Sequence, residues 1–141
     1  MTDIEIAIQN LNRHSICLCK DGKHFTDNGR GISPMIRLIE ENKDLCGYSV
    51  ADVIVGKAAA MLFVKAGIAA VHGKVMSESG KTYLENHCIP CTHDILTKQI
   101  INRQGTDICP MEKAVAEIDD AETGYIALKS RLNELKKVMP E

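Results

Sequence analysis

The chain has 141 residues, 45% of them hydrophobic, with 4% aromatics, no Trp and a net charge of −2. That size supports one domain with its own core, which Ile, Leu, Val, Ala and Met must fill in place of aromatics. No basic excess or aromatic platform argues for nucleic acid, no apolar run is long enough for a bilayer, and the acidic start Met1-Thr2-Asp3-Ile4-Glu5 lacks a secretory pattern, which predicts a cytoplasmic protein.

Thr2 and Glu5 have the spacing of a capping box, which opens a helix over about residues 3–13 with Ile4, Ala7, Ile8 and Leu11 on one face. A strand over about 15–20, the turn Asp21-Gly22 and a returning strand over about 23–26 make a hairpin. Gly29-Arg30-Gly31 interrupts the pattern. Ser33 as N-cap and Pro34 as first helical residue then begin a short helix with Met35, Leu38 and Ile39 on its apolar face. After the break at Gly47, Ser49 is expected to cap a long helix over about 50–66 that stops at Gly67. It is apolar almost all round, so burial on several sides is expected. A strand over about 68–76, a helix over about 79–87 and a strand over about 91–101 follow. A helix from Pro110 runs to near Asp119-Asp120, and Tyr125, Leu128, Leu132 and Leu135 mark an amphipathic C-terminal helix. This order predicts one domain over 1–141, with a mixed sheet, right-handed crossovers and helices on both faces.

Six cysteines in a chain without an export pattern predict free, mostly buried thiols. His87-Cys88-Ile89-Pro90-Cys91-Thr92-His93 brings four soft ligands close in sequence, with Cys88 and Cys91 at zinc-like spacing. One compact loop seldom delivers four ligands tetrahedrally, and there is no second Cys-x-x-Cys. Cys17 and Cys19, on the first hairpin strand, are expected on opposite faces. No metal and no cofactor are therefore expected.

The most informative stretch is Cys109-Pro110-Met111-Glu112, which follows the polar segment from Asn102 to Asp107. Pro110 in a first helical turn puts the Cys109 thiol at a helix N-terminus, where backbone N–H groups and the macrodipole favour negative charge. With Glu112 three residues on, the alternatives are an activated thiol beside a carboxylate or a plain capping turn. A histidine partner for Cys109 would come from His72 or His93. Lys57, in Gly56-Lys57-Ala58-Ala59-Ala60, either holds a phosphate or carboxylate, acts as a nucleophile, or snorkels to the surface. Asp52 is either a pocket carboxylate or the capping-box partner of Ser49. Five residues from Lys57, it does not share that residue's helical face. Arg30, between two glycines, and Asn102-Arg103, before Gly105, offer donors to an anion or form surface turns. Candidate catalytic residues are thus Lys57, Cys109 and Glu112, and candidate ligand-binding residues are Arg30, Asp52, Asn102 and Arg103.

The element order, with Gly29-Arg30-Gly31, Ser49-Val50-Ala51-Asp52, Gly56-Lys57-Ala58-Ala59-Ala60, Asn102-Arg103 and Cys109-Pro110-Met111-Glu112, resembles an uncharacterised bacterial domain-of-unknown-function family with a cytidine-deaminase-like fold. The resemblance spans about residues 4–132. It implies a three-layer α/β/α sandwich with a mixed sheet of about four to five strands, and supplies no known activity. True deaminases hold zinc through a His or Cys at one helix start and Pro-Cys-x-x-Cys at the next, with a Glu as proton shuttle. The matching positions here are Val55-Gly56-Lys57 and Ser77-Glu78-Ser79-Gly80. They offer no ligand set, and a lysine stands where the carboxylate would be, so zinc-dependent deamination is not expected. The expectation is a small-molecule-binding protein on a deaminase-like scaffold. It is either an enzyme for a nucleotide-like or anionic metabolite or a non-catalytic regulatory module, with the C-terminal helix offering a homodimer surface.

Overall fold

The computed structural model describes residues 1–138, so the last three positions of the 1–141 span lie outside the described residues. Helix α1 (Asp3–Leu11) starts with the expected capping box: the Thr2 side chain accepts from the Glu5 N–H, and the Glu5 carboxylate accepts from the Thr2 N–H. The hairpin β1 (Ile16–Lys20) and β2 (Lys23–Asp27) also forms as expected. Asp21 and Gly22 both take positive φ (53° and 79°), the conformation that matches a two-residue turn to strand twist. Asp3 ties this turn back to α1 by accepting from the Asp21 and Gly22 N–H groups.

The largest departure comes next. After α2 (Ser33–Glu40), the segment expected to be one long helix divides into strand β3 (Ser49–Val55) and helix α3 (Lys57–Ala66). Ser49 therefore caps nothing, Asp52 is a strand residue rather than a capping partner, and Lys57 opens a helix rather than sitting inside one. The physical reason is that a central strand buried on both faces is apolar on both, so no period-2 alternation marks it. Its β-branched run Val53-Ile54-Val55, ended by Gly56, is the signal that favours a strand. Gly67, with φ 77°, ends α3 as expected.

Strand β4 (Ala70–Ser77), helix α4 (Glu78–Asn86) and strand β5 (Cys91–Thr97) follow. Beyond Thr97 the expected strand does not continue; Ile101 makes an isolated bridge to Ile108 instead. Helix α5 (Pro110–Val115) is shorter than expected, and α6 (Ala121–Val138) closes the described chain. The result is an α/β protein with a five-stranded mixed sheet in the order β2-β1-β3-β4-β5 and, among the described residues, six helices. The β1 pairings are antiparallel, and β3, β4 and β5 run parallel.

Two apolar clusters hold the sheet. Ala7 and Leu11 of α1 pack on Cys17, Cys19 and Ala51. The two cysteines, expected on opposite faces, share one, because residues two apart in a strand point the same way. The larger cluster joins the other helices around Phe63, Met61, Leu62, Met76 and Leu84, all fully buried. Leu128, Leu132 and Leu135 of α6 pack against it, so the stripe offered to a second subunit serves this chain's own core. Among the described residues no helix is long and apolar enough to cross a membrane.

Candidate functional site

Two of the three candidate catalytic residues, Lys57 and Glu112, meet at the junction of α3 and α5. Glu112 reaches from α5 to the start of α3, where its carboxylate accepts from the N–H groups of Lys57 (2.9 Å) and Ala58 (2.8 Å). Lys57 answers in the other direction, with Nζ donating to the carbonyl of Ala116, the C-cap of α5 (3.2 Å). Each charge meets the helix end of opposite polarity. Burial pushes the Glu112 carboxyl above the usual range, against the pull of the Ala58 and Lys57 N–H groups and the Lys57 charge.

Gly56 makes this contact possible, since a Cβ there would fall 2.5 Å from the Glu112 carboxyl carbon. Gly80 does the same for α4: its Cβ would lie 2.9 Å from the Gly56 carbonyl carbon. The starts of α3 and α4 are therefore pressed together, and the Glu112 carboxylate occupies the N–H donors at the start of α3. Among the described residues no three His, Cys, Asp or Glu side chains form a group suited to a metal.

Cys109 is the N-cap of α5 and makes no side-chain cap bond. Its N–H donates to the Ile100 carbonyl and its carbonyl accepts from Lys113, and it packs against the larger apolar cluster. The six-residue α5 gives it only a short dipole. Neither candidate histidine bonds to it. His72 Nδ1 pairs with the Thr92 hydroxyl (2.7 Å) and Nε2 lies 3.4 Å from Asp94, while His93 Nδ1 is buried without a partner. His87 stacks on Tyr83 with its Nδ1 at that residue's carbonyl.

The candidate ligand-binding residues lie elsewhere, and three of the four converge. The ladder between β1 and β3 ends at Ile16 opposite Asp52, while β3 continues to Val55. An open cleft of about 350 Å³ lies there, lined by Arg13, His14, Arg30, Asp52, Ile54 and Arg103, among others. Three segments supply the guanidinium groups. Arg13 follows α1. Arg30 rides on the loop after β2, which Asp27 anchors by accepting from the Gly29 N–H (2.7 Å) and pairing with Arg37. Arg103 extends from a loop that Asn102 braces, its Oδ1 accepting from Thr106 N–H (3.0 Å) and its own N–H donating to the Asp107 carbonyl. Asn102 thus shapes the loop and does not line the cleft.

None of the three arginines forms an ion pair among the described residues. Asp52 is 8% exposed and lacks a side-chain partner among the described residues; Oδ1 accepts a long bond from the Ile54 N–H (3.4 Å). Burial pushes its carboxyl up to about 7, against the pull of the Ile54 and Val53 N–H groups. His14 Nδ1 and Asn28 Oδ1, 2.7 Å apart, link two of the walls. Sequence reasoning missed Arg13 and His14. A basic pair at the end of the first helix was visible, but only the β1–β3 register brings it beside Asp52.

The family model described as TM1506, domain of unknown function (DUF1893), matches residues 7–132. Among solved structures, the chain resembles a DUF1893 family protein (TM1506) from Thermotoga maritima, with 27% identity and a TM-score of 0.79 over 88% of this chain and 84% of that one. No curated protein matches.

Proposed function

The chain belongs to the DUF1893 family, a domain of unknown function, and from that starting point we propose that it binds a small anionic metabolite in the cleft beside Asp52. The observation that carries this reading is the convergence of Arg13, Arg30 and Arg103, from three separate segments, on one concavity in which none is ion-paired among the described residues. Guanidinium groups grip phosphates and carboxylates through paired donors. The cleft also lies past the last β1–β3 rung, at the carboxyl end of parallel strand β3, the place where open α/β sheets commonly hold ligands.

The strand order and the helices on either side support reading the scaffold as a three-layer α/β/α sandwich of the cytidine-deaminase-like kind. A nucleotide-like ligand rests on that analogy alone. Binding without turnover is the favoured form of the proposal. The Glu112 carboxylate is engaged by two backbone N–H groups and the Lys57 ammonium by a carbonyl, which leaves the proposed catalytic set little freedom to react. Neither Lys57, Cys109 nor Glu112 lines the cleft.

Thermal denaturation with phosphate and small carboxylates at low ionic strength tests the reading. A ligand present at about 100 times its Kd stabilises the folded chain by about 2.7 kcal/mol, and Arg30→Ala with Arg103→Ala should remove that gain. No shift with any anion, or an equal shift in the double variant, ends the proposal.

A further inference from the structure

We propose that the cleft selects a zwitterion, a small molecule whose anionic group is held by Arg13, Arg30 and Arg103 and whose N–H donor, an amine in the simplest case, meets the carboxylate of Asp52. The inference rests on the anion-binding reading above and adds the other end of the ligand. Two observations carry it. The first is that charges of both signs line one cleft without cancelling each other: no ion pair joins Asp52 to any of the arginines. The second is the state of Asp52 itself. It is more than nine-tenths buried, lines the cleft, and among the described residues receives no side-chain donor, only the backbone N–H groups of Ile54, over a long 3.4 Å bond, and Val53.

A buried carboxylate with no side-chain donor is costly, and a carboxylate beside a plain anion repels it. Both penalties are offset when the ligand carries its own N–H group. The position of the charges sets an orientation. Asp52 sits on the strand, at the last rung of the β1–β3 ladder, while Arg13, Arg30 and Arg103 are exposed on the loops around it. The donor end of the ligand therefore points inward and the anionic end outward. Ile54, half-exposed beside Asp52, gives an aliphatic linker an apolar wall. The volume of about 350 Å³ is near the lower limit for small-molecule sites and fits a small metabolite.

Two compounds that differ by one group provide the test: O-phosphoethanolamine and ethyl phosphate, titrated calorimetrically into the full chain at pH 8 and low salt, with inorganic phosphate alongside. The amine should tighten binding about tenfold or more, the usual scale of a hydrogen bond to a charged group. Asp52→Asn should bring the two affinities together, and Arg30→Ala should weaken both alike. Equal binding of the two compounds to the wild-type chain overturns the zwitterion inference and leaves the anion site standing. A preference for the amine that persists in Asp52→Asn also overturns it. If neither compound nor phosphate binds, the anion reading falls and takes this one with it. Equal binding of the two compounds to the wild-type chain overturns the inference even if the Asp52 variant fails to fold.

Discussion

Replacing Asp52 by Asn removes a carboxyl whose ionisation the fold opposes while keeping its shape and an acceptor oxygen for the Ile54 N–H. The carboxyl ordinarily titrates at 3.8 and is pushed up to about 7 in the folded chain, because burial outweighs the N–H groups of Ile54 and Val53. Between those values the unfolded chain has released this proton and the folded chain has kept it. The unfolded state then binds fewer protons, so stability falls as pH rises. Each pH unit is worth about 1.4 kcal/mol, and a window of about three units gives a loss of about 4 kcal/mol by pH 7, with no loss below pH 3.8. Asp52→Asn should lack this term. Urea unfolding of both proteins from pH 4 to pH 8, without ligand, should show the variant gaining on wild type through the window and staying level above it. Taking the difference between the two proteins cancels Glu112, whose raised carboxyl tilts stability the same way in both. A constant offset across the whole range would refute the reasoning, as would a variant that loses ground as pH rises. Either result would mean that an unrecognised partner stabilises the Asp52 charge in solution.

Glu112→Ala leaves the N–H groups of Lys57 and Ala58 without their acceptor, and denaturant unfolding should show a loss of about 1–3 kcal/mol, with Glu112→Gln losing less because one oxygen remains. Gly80→Ala drives a methyl to within 2.9 Å of the Gly56 backbone, where no flexible side chain can yield, so its loss should reach the overpacking range of about 1–3 kcal/mol by the same assay. Thr2→Ala removes the capping box of α1 and should cost about 1 kcal/mol; an unchanged denaturation midpoint would contradict the cap.

Local features were legible in the sequence because local chemistry produces them. The capping box needs only Thr2 and Glu5, the hairpin only the turn conformations of Asp21 and Gly22, and the end of α3 only Gly67. The division of 49–66 was not legible, because burial on both faces removes the periodicity that tells strand from helix. The same error put Asp52 and Lys57 on one imagined helix, whereas the sheet sends them to different places. Arg30, Asp52 and Arg103 were visible as charged residues in suggestive settings, yet nothing in their spacing showed that they meet, or that Arg13 joins them.

Residue types and short-range spacing by themselves determined which groups were available: an arginine between glycines, a carboxylate in an apolar run, a glutamate just inside a helix, and too few soft ligands for zinc at the two helix starts. Only the folded chain decided which of these groups face one another. Glu112 became a brace because α5 packs across the start of α3, and Asp52 entered a cleft because β1 stops pairing where β3 runs on. The reason is that strand register and helix packing are settled by burial summed over the whole chain, and no short stretch of sequence contains that sum.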